Sequence, residues 1–171
     1  MRTRPARPED APALAKLGNE AFCAAFAHLY APIDLDAFLA RVYDPVAVRE
    51  ELGMPAIRVQ LAEDEDGSLA GYCKMKFACG WPEHARGSRV VELKQLYTAP
   101  DKTGSGIGAA LMEWAEAQAR QFGADEIQLS VWSGNHGAQR FYARHGFAKV
   151  ADTEFWVGSQ RDEEFLFARM L

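Results

Sequence analysis

Val90-Val91-Glu92-Leu93-Lys94-Gln95-Leu96-Tyr97-Thr98-Ala99-Pro100-Asp101-Lys102-Thr103-Gly104-Ser105-Gly106-Ile107-Gly108-Ala109-Ala110-Leu111 is where the reading of this chain begins. Val90 to Thr98 predicts a strand, closed by Ala99-Pro100-Asp101. Three glycines at alternate positions follow. They open an amphipathic helix whose apolar side carries Leu111, Trp114, Ala115, Ala119 and Phe122, with Gly123 as its C-terminal glycine. Glycine lets backbone N–H groups approach a ligand closely because no Cβ stands in the way. A helix N-terminus adds unpaired donors and about half a positive charge. Strand, glycine turn and helix in this order make an anion site, most often for phosphate. Taken alone, the glycines also fit a helix start that merely needs tight packing.

Several phosphate and catalytic loops are excluded by spacing. No Gly-Lys-Ser/Thr is present, so this is not a Walker A loop. Gly104-x-Gly106-x-Gly108 is not GxGxxG, and Asp125 and Glu126 begin the next strand instead of ending it, against a dinucleotide fold. No serine lies in a GxSxG elbow.

Working outward, Arg2 to Arg7 predicts a short strand closed by Pro8. Glu9 and Asp10 favour a helix start, and the apolar spacing from Leu14 to Leu29 carries that helix to about His28. Asp34 is expected to cap a second helix through Leu35, Phe38, Leu39 and Val42. Pro45 opens a short one to Leu52. Ile57, Val59 and Leu61 alternate as a strand, Glu63 to Gly67 reads as a solvated hairpin tip, and Leu69 to Ala78 is the partner strand. Cys79 to Ser88 reads as a loop. Ile127, Leu129 and Val131 alternate, Gly137 to His145 is a short helix, and Phe147–Val150, Thr153–Val157 and Phe165–Met170 supply the last strands. Strands mixed with helices and a partly parallel centre predict an α/β (α+β) class.

The Gly-rich stretch resembles the pyrophosphate loop of the GCN5-related N-acetyltransferase (GNAT) superfamily, Q/R-x-x-G-x-G/A. Thr103-Gly104-Ser105-Gly106-Ile107-Gly108 matches it, except that Thr103 replaces the Gln or Arg. Asn135-His136-Gly137-Ala138-Gln139-Arg140-Phe141-Tyr142-Ala143-Arg144-His145-Gly146-Phe147 resembles the same family's N-x-x-A-x-x-F-Y-x-x-x-G-F signature. Asp34 to Leu39 and Val157 to Glu163 look similar to the polyamine-type members. The resemblance implies a GNAT-type acyl-CoA N-acyltransferase fold, a mixed six- to seven-stranded sheet with about four helices, forming one N-acetyltransferase domain over residues 1–171.

It also implies a reaction. Acetyl-CoA is the expected donor and the primary amine of a small molecule, polyamine-like or other, the expected acceptor, joined by direct attack. Cofactor contacts are expected at Leu96, Tyr97 and Thr98, at Thr103, Gly104, Ser105, Gly106, Ile107, Gly108 and Ala109, and at Asn135, Ala138 and Tyr142. Lys102, Arg140 and Arg144 are candidates to add positive charge. The backbone at Leu96 would donate to the thioester oxygen, a class of contact worth about 3 kcal/mol. Tyr142 matches the family's general acid, and a phenol with pKa near 10 suits a leaving thiolate.

Glu92 is the candidate base. In a regular strand it shares side-chain parity with Leu96 and Thr98, although a salt bridge to Lys74 or Lys76 would explain it equally well. Acceptor contacts are expected from Phe26, Tyr30, Trp81, Glu92 and Trp156, with His28, Glu83, His84 and Phe155 as further candidates. Aromatics and acids hold a cationic amine by cation–π and Coulomb attraction. A protein N-terminal or lysine acetyltransferase is the alternative of the same class. A non-catalytic acetyl-CoA sensor is the alternative of another class.

Composition sets the remaining expectations. The chain has 171 residues, and 19 Lys and Arg against 24 Asp and Glu leave a net charge of −5, which argues against a nucleic-acid partner. No apolar run approaches the roughly 20 residues a membrane span needs, and no signal-peptide pattern opens the chain. Cys23, Cys73 and Cys79 form no CxxC pair, and the four histidines show no ligand spacing, so no metal is expected. Reduced thiols point to the cytoplasm. Exposed late strands would permit a homodimer.

Overall fold

The computed structural model describes all residues, Met1–Leu171. Seven strands form one sheet in the order β1-β2-β3-β4-β5-β7-β6. They are β1 (Arg2–Pro5), β2 (Ile57–Glu63), β3 (Leu69–Lys76), β4 (Val90–Thr98), β5 (Glu126–Trp132), β6 (Ala148–Val157) and β7 (Gln160–Met170). Only β4 and β5 pair in parallel; every other neighbouring pair is antiparallel.

Five α-helices cover the sheet, one more than the four expected. They are α1 (Ala11–Phe26), α2 (Pro32–Val42), α3 (Pro45–Leu52), α4 (Ile107–Phe122) and α5 (His136–Arg144). Two boundaries differ for a physical reason. Asp34 does not cap α2: Pro32 occupies its first turn and Ala31 stands at the cap, as proline's fixed φ favours. Glu63 belongs to β2 and not to the hairpin tip, because Arg4 of the neighbouring strand holds its carboxylate at 2.7 Å. Asp44 does cap α3, accepting from the Ala47 N–H at 3.2 Å.

Each face of the sheet has its own core. Leu111, Met112, Ala115 and Ala119 of α4 pack on Cys73, Met75, Val91, Leu93, Ile127 and Leu129. On the other face, Leu14, Ala15 and Leu17 of α1 and Val48 of α3 pack on Val59, Leu61 and Tyr72. A third cluster joins Phe22, Phe38, Tyr43 and Val157 where α1 and α2 meet the last hairpin. Truncating a fully buried leucine such as Leu111 (0% exposed) would cost about 2–5 kcal/mol.

Two irregularities open the centre of the sheet. β4 and β5 pair only from Val90 with Glu126 to Glu92 with Gln128. Past that point they diverge, so the β5-facing backbone edge of β4 from Leu93 onward has no ladder partner. β4 also carries a bulge: Leu93 stands opposite Met75 and Gln95 opposite Lys74, leaving Lys94 as the extra residue. A bulge inverts side-chain parity beyond it.

Candidate active site

The divergence of β4 from β5 creates a cleft of about 900 Å³. One end is built by the glycine turn. Gly104 and Gly106 have φ of 80° and 87°, the left-handed region that other residues enter at a cost. A Cβ added at either would meet no atom within 4 Å, so the outer surface of the turn is open. Gly106 caps α4, and its carbonyl accepts from the Ala110 N–H at 3.1 Å. The N–H groups of Ile107, Gly108 and Ala109 come before that first helical bond and have no intrahelical partner.

Thr103, Gly104, Gly106, Gly108 and Ala109 line the cleft together with Leu96, Tyr97 and Thr98 of β4. Asn135, Ala138 and Tyr142 of α5 close its side. Two of the thirteen expected contacts fall outside: the Ser105 hydroxyl turns back to the Lys102 carbonyl at 2.6 Å, and Ile107 is 3% exposed within the α4 core. Asn135 acts locally as the cap of α5, accepting from the Ala138 N–H at 3.1 Å. Among the candidate cations, Arg144 lines the cleft, whereas Lys102 pairs with Asp64 at 2.9 Å and Arg140 lies on another surface.

The turn, the helix N-terminus and the unpaired edge of β4 fit a phosphate-bearing donor with an extended arm. The space outside Gly104 and Gly106 is open, and one cleft runs from this turn to Leu96, so a phosphate at the helix N-terminus and an arm along β4 share it.

Tyr142 is buried at the inner wall. Burial pushes its pKa above the ordinary tyrosine value, with Cys73 and Tyr97 as lesser causes, so its phenol stays protonated. Tyr97 is pushed up to about 12, again mainly by burial.

The opposite end of the cleft is aromatic and acidic. Phe22, Phe26, Tyr30, Phe38, Trp132 and Phe155 form its wall, with Asp162 and Glu164 of β7 between them. The Phe26 and His28 rings both stand edge-on to Trp132, with centroids 6.2 and 5.9 Å away. Asp162 is 5% exposed and accepts a hydrogen bond from the Tyr30 hydroxyl. Burial, and then that bond, raise the Tyr30 pKa. Burial raises the Glu164 pKa too, despite a hydrogen bond from Ser130, and nearby Asp162 adds to the rise.

Glu92, Trp81 and Trp156 are not brought to this cleft, and of the further candidates His28, Glu83 and His84 do not line it either. Glu92 lies outside it, with its carboxylate against Gly80, where a Cβ would come within 3.0 Å of it. Its position along the strand is the cause: Glu92 is still paired with Gln128 of β5, before the two strands part, so it stands outside the opening, although the bulge at Lys94 puts it on the face of Gln95 and Tyr97. Burial raises the Glu92 pKa, and Lys94 and Lys76 oppose the rise. Trp81 sits in a loop bound to the far end of β5, where the Gln128 amide bonds its N–H and carbonyl at 3.2 and 3.1 Å. Trp156 points outward at 51% exposure and donates to Glu154, while its neighbour Phe155 turns inward onto Phe38.

Conversely, sequence reasoning missed Trp132, Asp162 and Glu164. Asp162 and Glu164 alternate, which signals one strand face, but the last strand was expected to begin only at Phe165. No helix is long and apolar enough to cross a membrane.

Known proteins share this architecture. The acetyltransferase (GNAT) family model matches residues 20–147. The chain is 32% identical over 163 residues to an uncharacterized N-acetyltransferase of Mycobacterium tuberculosis, covering 95% of this chain and 98% of that one. It is 33% identical over 108 residues to the streptothricin acetyltransferase of Streptomyces lavendulae, covering 63% and 53%. The crystal structure of PaiA N-acetyltransferase from Thermoplasma acidophilum in complex with coenzyme A superposes with a TM-score of 0.80 at 23% identity, over 99% and 98% of the two chains. The seven-stranded sheet split between β4 and β5, the glycine turn at its mouth and these matches place the chain in the GNAT acetyltransferase family, as an acetyl-CoA-dependent N-acetyltransferase acting on amines.

Proposed function

We propose that residues 1–171 act as one N-acetyltransferase domain whose acceptor is a small organic cation bearing a primary amine, polyamine-like in character. The observation that carries this reading is the charge of the acceptor end. Asp162 and Glu164 line it, and Lys94 and Arg144 are the only cations along the whole cleft. Lys94 is already paired with Glu51 at 3.8 Å, and Arg144 belongs to α5, which walls the donor side. Two carboxylates amid six aromatic rings favour an ammonium group carried on an apolar body.

The Tyr30–Asp162 bond bridges the α1–α2 connection to β7 across this end. A bridged cleft suits a compact molecule better than a protein loop. Relatives named streptothricin acetyltransferase and aminoalkylphosphonate N-acetyltransferase match 63% and 33% of this chain, and the acceptors in their names differ. Free thiols at Cys23, Cys73 and Cys79 suit a reducing compartment, and we place the enzyme in the cytoplasm.

Acetyl-CoA, when bound, supplies an activated acetyl thioester. Gly104, Gly106 and Gly108 present their backbone, and the N–H groups up to Ala109 bind its phosphates. The Leu96 N–H, on the unpaired edge of β4, stabilises charge developing on the carbonyl oxygen, and the backbone at Thr98 holds the pantetheine arm. Tyr142 keeps a proton at the inner wall and delivers it to sulfur. Asp162, oriented by Tyr30, holds the acceptor ammonium.

The test is a thiol-release assay with polyamines, aminoglycosides, amino acids and peptides as acceptors. Turnover is expected with organic polycations. Turnover confined to amino acids or peptides would refute the reading.

A further inference from the structure

Removing Glu92 from the cleft leaves the reaction without a proton acceptor. We propose that Glu164 of β7 takes the proton from the acceptor amine. This rests on the reading of the cleft as an organic-cation acetyltransferase site.

Position comes first. Glu164 stands opposite Trp132, and its neighbour pair is Ser130 with Leu166, so the carboxylate lies where β5 has parted from β4. It lines the same cleft as Leu96, whose N–H faces the reacting carbonyl, and Tyr142, which serves the sulfur. An amine held by Asp162 two residues away along one strand face lies within a side chain's reach of it.

Surroundings come second. Every neighbouring element contributes a neutral or acidic group: Ser130 from β5, Tyr97 from β4, Tyr30 from the α1–α2 connection and Asp162 from β7 itself. No lysine, arginine or histidine holds the Glu164 charge. Asp162, by contrast, is committed: it is 5% exposed and already accepts from Tyr30 and, at 3.4 Å, from the Gln160 amide. One acid is held by two donors for recognition, and the other is held by Ser130 alone. Burial raises the Glu164 pKa, the direction a useful base requires.

The proton and electron balance is complete. The bound ammonium gives one proton to Glu164, and its nitrogen bonds the acetyl carbon. The carbon–sulfur bond breaks with its electron pair on sulfur, which takes the Tyr142 proton. The second proton released by nitrogen restores the phenol, and Glu164 passes the first to water. Amine cation and thioester become amide, thiol and one proton, with no other reactant.

The experiment compares Glu164→Gln, Glu164→Asp, Glu92→Gln and the wild type, using a polyamine acceptor. Wild-type kcat should rise through an acidic limb above the ordinary glutamate range and then level off. Glu164→Gln should lower kcat at pH 7 by about 100-fold. Its kcat should then climb about tenfold per pH unit, because only amine already neutral in solution reacts. Two further readouts do not depend on turnover. Calorimetry should show acetyl-CoA affinity within about threefold of wild type and weaker polyamine binding to the coenzyme A complex.

If Glu164→Gln fails to fold, Glu164→Asp decides the matter. It should keep the levelled profile at a lower rate, and a tenfold-per-unit climb in it would overturn the proposal. Glu164→Gln retaining the wild-type limb would also overturn it, as would loss of the limb in Glu92→Gln instead. Failure of the underlying reading looks different: the wild type itself would then acetylate no polyamine.

Discussion

The Tyr30 hydroxyl donates a hydrogen bond to Asp162, joining the end of the first helical segment to the last strand across 132 residues of sequence. Asp162 is almost wholly buried. A buried carboxylate needs such donors, since an unpaired one would be strongly disfavoured. The bond fixes the carboxylate's direction and leaves its other oxygen facing only the Gln160 amide at 3.4 Å.

Tyr30→Phe should therefore weaken the acceptor more than the donor. We expect kcat/KM for a polyamine to fall by about tenfold, as loss of one hydrogen bond to a charged group implies. Acetyl-CoA affinity should change less than about threefold. Steady-state kinetics together with calorimetric titration separate these effects, and an equal loss in both would contradict the assignment.

Gly106 has φ of 87° and caps α4. A β-branched residue there costs about 1–2 kcal/mol in backbone strain and moves the N–H groups of the turn. Gly106→Val should raise the Kd for acetyl-CoA by at least tenfold while the far-ultraviolet circular dichroism stays unchanged. Unaltered affinity would contradict the phosphate-turn assignment.

Tyr142→Phe removes one hydroxyl from the inner wall. We expect kcat to drop by about 100-fold with little change in the acceptor KM. Because burial raises the Tyr142 pKa above the usual tyrosine value, the phenol stays protonated well into alkaline conditions. Wild-type kcat should accordingly show no downturn from this group between about pH 7 and 10. A Tyr142-dependent downturn near neutral pH would contradict this environment.

Away from the cleft, the Arg4 guanidinium holds Asp10 at 2.7 and 2.8 Å. This hydrogen bond is the main cause of a lowered Asp10 pKa. The lowering means that the contact stabilises the fold fully above the ordinary aspartate value. That contribution is lost as pH falls through the lower, folded-state value. Asp10→Asn should lower the Tm at pH 7 and leave a smaller difference from wild type in strong acid. Thermal melts across that range test the sign; a difference that grows in acid would contradict it.

The donor half of the site was legible because its residues are contiguous. Thr103 to Ala109 and Asn135 to Tyr142 each carry their chemistry within one turn or helix, where spacing alone fixes geometry. The acceptor half was not. Tyr30, Trp132, Asp162 and Glu164 meet only through the fold, and the charged start of β7 at Gln160-Arg161-Asp162 disguised its strand character. Glu92 was misplaced because the point where β5 parts from β4 leaves no periodic signature, and Glu92 lies before it, still paired with Gln128. The bulge at Lys94, equally silent in the sequence, also separates its parity from that of Leu96 and Thr98. Trp81 and Trp156 carried the right chemistry. The loop clamped by Gln128 and the outward turn of the β6 end placed them elsewhere.

The most direct measurement is acceptor charge selectivity before and after Asp162→Asn. It is the ratio of kcat/KM for a polyamine to kcat/KM for an uncharged-tail primary amine of similar length. In the wild type the ratio should exceed about ten, the scale of one charge-assisted contact. In Asp162→Asn it should fall toward one, with acetyl-CoA affinity retained. A ratio near one in the wild type, or one that survives the substitution unchanged, would contradict recognition of a cationic amine by this acid.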